Sequence, residues 1–187
     1  MQNLAQNIEV WWSDPNNDKE SNVYTVKEIK YDKDGGLYDE TIIVISNGKT
    51  TREVEAWELQ DINIRRTAIK KLVDNIIEIA EEDWWNVYNG DPGYNTVDLE
   101  FAKGTSAGQD FSFQIAIKSS SIDDFITAVD DYYESYDPDE EASLWIGPDG
   151  HGINGAPYRI TDIIRDMEEC EENIKQLLEQ FNQKLKG

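Results

Sequence analysis

From Asn22 to Tyr31 the chain reads NVYTVKEIKY, and apolar and polar positions alternate. A period of two places alternate side chains on opposite faces of a strand, so this segment predicts a half-buried β-strand. DKDGG follows as a turn, and YDETIIVIS is a β-branched run. Asn47-Gly48 then gives the strongest short hairpin signal a sequence offers. KTTREVEAWEL returns with Val54, Ala56 and Trp57 as its packing positions. These runs predict a three-stranded antiparallel meander, to which NIEVWW adds a candidate edge strand.

At Ile62 the period changes. Ile62, Ile69, Leu72, Val73, Ile76, Ile77 and Ala80 recur at three- and four-residue spacing, the stripe of an amphipathic helix ending near EEDWW. Arg65, Arg66, Lys70 and Lys71 stand near its start, and Glu78, Glu81, Glu82 and Asp83 near its end. That order opposes the helix dipole at a few tenths of a kcal/mol per charge, so contacts outside the helix must hold it. TVDLEFAKG and QDFSFQIAIK alternate again around the turn GTSAG, a second hairpin. Ser121, with Asp124 three residues on, starts a helix through IDDFITAVDDYYESY. Asp137-Pro138 breaks it and opens a short helix, PDEEASLWI. After the loop GPDGHGINGAPY, Thr161 caps a last helix with Ile163, Ile164, Met167, Cys170, Ile174, Leu177, Phe181 and Leu185 on its apolar face.

The predicted class is therefore α+β: an antiparallel meander and a second hairpin packed with three main helices and one short helix. An N-terminal β lobe covers 1–60. A second lobe covers 61–187, with the hairpin at 95–118 and helices at 62–83, 121–136, 138–146 and 161–185. The two lobes are expected to form one compact unit.

Composition changes this picture in one respect. The 187 residues are 39% hydrophobic and 11% aromatic, enough to build a core rather than a disordered acidic tail. Against that stand 39 acids and 17 bases, a formal net charge of −22. Such a surplus works against compaction and excludes ordinary binding to nucleic-acid phosphates or anionic lipid. It favours basic partners, among which nucleic-acid-binding clefts are the commonest large surfaces. Cys170 is the single cysteine, which excludes an internal disulfide and fits a reducing compartment. The N-terminus lacks the basic and apolar regions of a signal peptide. No stretch reaches the roughly 20 apolar residues of a membrane span. The expected setting is a reducing cytoplasm, with neither a membrane nor direct DNA binding.

The charge is not evenly spread. Ser119 to Tyr158 holds ten carboxylates and no Lys or Arg, and the stretch between Lys71 and Lys103 holds eight acids and no base. On the predicted helix Asp123, Asp130 and Glu134 form one stripe and Asp124 and Asp131 a neighbouring one. Asp137, Asp139, Glu140 and Glu141 continue the row. Seven helical residues span about 10 Å, and interleaved stripes shorten the gap between carboxylates toward the close spacing of phosphates in a duplex, roughly one charge per 1.7 Å of axis. These nine acids are the candidate partner-binding residues. The competing reading is a solvated helix face.

His151, the only histidine, sits in the Gly-rich loop with Asp149 and Asn154. The loop is a candidate recognition surface, or a backbone turn that His151 pins by hydrogen bonds. As an acid/base or metal ligand, His151 has only carboxylates such as Asp149 and Asp137 for company and no second His, no Cys and no nucleophile. DPDEEASLWIGPD and DKDGGLYDE lack the ligand spacing of an EF-hand. No cofactor, metal or catalytic residue is assigned. In each Trp pair, Trp11-Trp12 and Trp84-Trp85, one ring is expected inside and one outside. The cluster IRRTAIKK is expected to pair within the chain, and Cys170 to be a small buried hydrophobe.

One resemblance bears on function. Asp137 to Glu140 (Asp-Pro-Asp-Glu), Leu144-Trp145, the Gly-His-Gly-x-Asn-Gly-Ala-Pro loop at Gly150 to Pro157, and Asp166-Met167 before an amphipathic helix together resemble a family of small acidic proteins of Firmicutes, their phages and mobile elements. The likeness covers the last third of the chain. It implies a counter-defence protein, anti-CRISPR or anti-restriction, acting in the cytoplasm of a bacterial host. The expected partner is then a basic nucleic-acid-binding protein, a bacterial defence nuclease with a Cas9-like CRISPR effector foremost. The alternatives are an anti-restriction DNA mimic, and an enzyme acting on nucleic acids or nucleotides through His151.

Overall fold

A computed structural model describes residues 4–14, 22–90, 96–108, 110–146 and 160–187. The fold is α+β, with two antiparallel sheets and four helices among those residues. The chain divides into two compact units, Met1–Lys70 and Lys71–Gly187.

In the first unit, β1 (Glu9–Trp12), β2 (Asn22–Lys30), β3 (Ile42–Ser46), β4 (Thr51–Glu55) and β5 (Leu59–Asp61) form a sheet in the order β4-β3-β2-β1-β5. The meander β2-β3-β4 is the one the alternation predicts. The alternation of β2 is interrupted, however: Tyr24, Val26 and Ile29 are all buried although Val26 and Ile29 are an odd interval apart. The ladder register shifts between Val26 and Glu28. This bulge accommodates one extra residue and returns Ile29 to the core face. The β3-β4 connection is four residues, not two. The Asn47 carboxamide oxygen accepts from the Lys49 and Thr50 N–H groups, and Gly48 takes φ +85°.

β1 is not an edge strand, because β5 pairs with its other side, Trp12 opposite Leu59. This interior position also corrects the expectation for Trp11-Trp12. Both are 5% exposed, since both faces of β1 are covered. Trp12 packs with Val10, Tyr24, Val26, Ile43 and Ile45. Trp11, on the other face, lies under the Arg65 guanidinium, 3.9 Å from the ring centroid. A single 3₁₀ turn, Ala56–Glu58, joins β4 to β5, and it lifts Trp57 out of the core.

Helix α1 (Ile62–Glu81) starts where the Asp61 carboxylate accepts from the Asn63 and Ile64 N–H groups. The division between units falls within it. Its C-terminal acids find cations elsewhere in the second unit. Asp83 pairs with Lys103 at 3.1 Å, and Glu82 pairs with Lys184. These offset the unfavourable order of charge along the helix.

The second unit adds β6 (Asn86–Asn89), β7 (Val97–Gly104) and β8 (Asp110–Ile117) as a sheet in that order. β7-β8 is the predicted hairpin; β6 escaped the sequence because NVYN is short and mostly polar. Helices α2 (Ile122–Ser135), α3 (Pro138–Ile146) and α4 (Ile160–Lys186) follow. The core is aromatic: Phe101 stacks on Phe113, Phe113 on Tyr132, and Phe181 meets Phe101 and Phe125 edge-on. The α4 face differs from the predicted one at three positions. Ile164 is exposed and Leu178 buried, while Asp166 is buried completely. α4 also begins at Ile160, so Thr161 lies inside its first turn rather than capping it. No helix among the described residues is long and apolar enough to cross a membrane.

Candidate functional site

The charge belongs mostly to one unit. Met1–Lys70 holds 13 acids and nine bases, a net of −4; Lys71–Gly187 holds 26 acids and eight bases, a net of −18. The candidate acids sit on α2, α3 and the junction between them.

Ser121 Oγ accepts from the Asp124 N–H at 3.1 Å and starts α2. The box is not reciprocal: the Asp124 carboxylate accepts instead from the Ser119 hydroxyl at 2.7 Å. Phe125, Ile126 and Val129 form the buried side of α2. At about 100° per residue, Asp123, Asp124, Asp130, Asp131 and Glu134 fall within roughly 120° of arc on the other side. All five are exposed. Asp137 then closes the gap to α3. Its Oδ1 accepts from the Asp139 and Glu140 N–H groups at 2.9 and 3.2 Å, and Pro138 occupies the first helical position. Asp139 and Glu140 are exposed.

Glu141 differs from the other eight. It is half-buried on the side of α3 that carries the buried Ala142. Its charge acts on a buried hydroxyl and thiol group nearby. Burial first, and Glu141 second, push the Tyr132 phenol up to about 12. Burial also drives the Tyr136 phenol up, and the Cys170 thiol up to about 12. Cys170 is fully buried, as its place on the apolar face implies.

Of the nine acids, only Asp123 forms an ion pair among the described residues, with Lys186 at 2.8 Å. Lys186 and Lys184 are the residues the sequence reading passed over. They fill the last turn of α4 and reach back to Asp123 and to Glu82. Two lysines in the last turn of an otherwise acidic helix were the available signal. The second base-free stretch contributes a shallow depression on α1, lined by Asp74, Ile77, Glu78, Glu81 and Glu82.

The remaining candidates separate clearly. Asp149, His151 and Asn154 lie outside the described residues, as does the loop that holds them. Among the described residues no three His, Cys, Asp or Glu side chains are grouped to hold a metal ion. Trp84 is 84% exposed and Trp85 1%, one ring out and one in. Asp166, which precedes Met167 in the Asp-Met motif, is structural. Its carboxylate accepts from the Thr105 hydroxyl at 2.6 Å and the Ala107 N–H at 3.3 Å, while Glu169 accepts from the Ser106 N–H. α4 thereby clamps the β7-β8 turn.

What the arrangement offers chemically is a row of solvated carboxylates fixed on two short helices, without a nucleophile or a paired acid and base among them. Comparison of the chain with family models, with curated proteins and with solved structures finds no match.

Proposed function

We propose that the protein is an acidic inhibitor whose Lys71–Gly187 unit occupies the basic nucleic-acid cleft of a bacterial defence nuclease as a nucleic-acid mimic. The observation that carries this reading is the set of exposed carboxylates on α2 and α3. Eight of nine are exposed, one is ion-paired, and they belong to a unit of net charge −18. A surplus of that size disfavours folding and meets few internal cations, so a cationic surface outside the chain is its natural complement. The resemblance of the last third to a family of small acidic proteins of Firmicutes, their phages and mobile elements fits the same reading. A Cas9-like CRISPR effector is the target we place first, with a restriction complex as the alternative.

Mimicry of this kind replaces counterions on a Lys/Arg cleft, so binding weakens steeply with salt. The structure says which acids to change. Asp137 caps α3 and Glu141 is half-buried, so both would disturb the fold. Asp130→Asn, Asp131→Asn, Glu134→Gln, Asp139→Asn and Glu140→Gln alter charge alone. In a pull-down on purified effectors, the native chain is expected to be retained at about 0.05 M NaCl and released near 0.5 M, where the Debye length is only about 4 Å. The five-fold variant should bind at least tenfold more weakly and fail to protect target DNA from cleavage. Parallel plasmid-interference and phage-restriction assays in cells decide between a CRISPR and a restriction target. Undiminished inhibition by the five-fold variant would overturn the proposal.

A further inference from the structure

The first unit carries little of the charge, yet it has an aromatic cleft of its own. Leu4, Leu37, Tyr38, Asp39, Ala56, Trp57 and Leu59 line a cavity of about 270 Å³. Its walls are two loops, the β2-β3 connection and the 3₁₀ turn before β5. Backbone bonds tie these loops together: Ala56 N–H donates to the Thr41 carbonyl at 2.9 Å, and Trp57 N–H to the Asp39 carbonyl at 3.0 Å. The Glu55 N–H donates to the Glu58 carboxylate at 2.8 Å and braces the turn. Thr41, itself buried, accepts from the Tyr38 N–H at 2.8 Å and donates to Asp32. Gly36 allows the Tyr38 ring to lie against the backbone, since a Cβ there would stand 2.4 Å from that ring.

So rigid a setting for two large aromatics is notable because both stay open to water. Trp57 is 64% exposed and Tyr38 46%. Each also gives its polar hydrogen to a carboxylate, the Trp57 indole N–H to Glu55 and the Tyr38 hydroxyl to Asp34. An aromatic ring whose hydrogen is donated to an anion has a more electron-rich face, and that face attracts cations. The bond from Tyr38, then the Gly36 N–H, holds the Asp34 carboxyl below its usual range, so the anion persists across neutral pH. The third element is Asp39, an exposed residue of the cleft lining whose carboxylate has no hydrogen bond or ion pair among the described residues. Leu4, Leu37 and Leu59 are the leucines of the cleft lining.

We propose that the Tyr38–Trp57 cleft is a binding site for a lysine or arginine side chain of a protein partner. The aliphatic stem lies on Leu4, Leu37 and Leu59, the cationic head faces the two rings, and Asp39 neutralises it. The chemistry is the same for both basic residues: a cation on a flexible apolar stem. It does not depend on the carboxylates of α2 and α3, and so stands or falls apart from the mimicry reading.

The test uses the full chain, ¹⁵N-labelled, and four blocked tripeptides with Lys, Arg, norleucine or Glu at the centre. The Lys and Arg peptides are expected to move the Trp57 indole and the Tyr38 and Asp39 amide resonances saturably, with Kd of about 10–100 mM, as expected for two partly solvated cation–π contacts and one exposed ion pair. Trp57→Ala should weaken this by a factor of about two to five, read on the Asp39 amide. Asp39→Asn, which leaves every tie between the loops intact, should weaken it by a factor of about three to five. Norleucine and Glu peptides should leave the resonances in place. Equal shifts with norleucine, equal affinity in Asp39→Asn, or no saturable shift with Lys and Arg would each overturn the proposal.

Discussion

At the scale of single residues, the buried groups near the α3-α4 contact tie stability to alkaline pH. Cys170, Tyr132 and Tyr136 all hold their protons more tightly folded than free, with burial as the leading cause. Their ordinary values are 9.0 for the thiol and 10.0 for the phenols. Above about pH 9 the unfolded chain therefore loses protons that the folded chain keeps. Stability must fall as pH rises from there toward 12. The urea midpoint should hold steady up to about pH 8.5 and drop progressively beyond pH 9, with Tyr132→Phe removing only its share of the loss that begins near 10 and Tyr136 keeping the rest. Cys170 should resist iodoacetamide at pH 8 in the native state and react once the chain is unfolded. A midpoint unchanged to pH 11 would refute the assignment. Little of this was legible in the sequence. The apolar stripe of α4 predicted a buried Cys170, but nothing in it marked Asp166 as buried, because its partners Thr105 and Ala107 arrive from a turn about 60 residues away.

At the scale of elements, the C-terminus of α1 ends in an unusual way. The Trp85 N–H donates to the Ala80 carbonyl and the Trp84 N–H to the Glu81 carbonyl, both at 3.1 Å. This is the paired pattern of a Schellman motif, whose left-handed position Gly usually fills. Here Trp84 fills it, at φ +63° and almost fully exposed. A side chain in that conformation costs about 1–2 kcal/mol, and an exposed ring returns little by burial. Part of the relief is lost to the greater freedom of Gly in the unfolded chain. Trp84→Gly should therefore stabilise the fold by roughly 0.5–1 kcal/mol in urea denaturation. Trp84→Ala, which keeps a Cβ, should leave it nearly unchanged. A destabilised Gly variant would mean that the ring makes contacts that matter. Elements with their own local signal were readable from sequence: α3 matched from Pro138 to Ile146 because Asp137 and Pro138 write its start. β5 and β6 were not, since three or four residues carry no period and exist only through their ladders. The same holds for the edge assigned to β1, whose second neighbour lies 47 to 51 residues on (from Trp12 opposite Leu59 to Val10 opposite Asp61). The row of acids on α2 followed from helical spacing alone. The Tyr38–Trp57 cleft did not, because it is made where two turns meet.

For the whole molecule, charge sets stability and recognition against each other. Two like charges about 10 Å apart in water repel by about 0.4 kcal/mol before screening, and by well under half of that at physiological salt. Each exposed acid of α2 and α3 has several such neighbours and one cation in total among the described residues. Neutralising Asp130, Asp131, Glu134, Asp139 and Glu140 together should therefore stabilise the fold. The gain is expected to be about 1 kcal/mol, a rise in the thermal midpoint of about 2–4 °C. Asp139 and Glu140 each give back a few tenths at the start of α3. Sodium chloride should act in the same direction on the native chain by screening the repulsion, while acting oppositely on binding by competing for the cationic surface. The two slopes distinguish a charge kept for a partner from one kept for the fold. If the native chain loses stability with added salt, the carboxylates are engaged in internal attraction. If it gains stability while losing its partner, and the five-fold variant shows both slopes flattened, the anionic surface is costing the folded state something that only a complex returns.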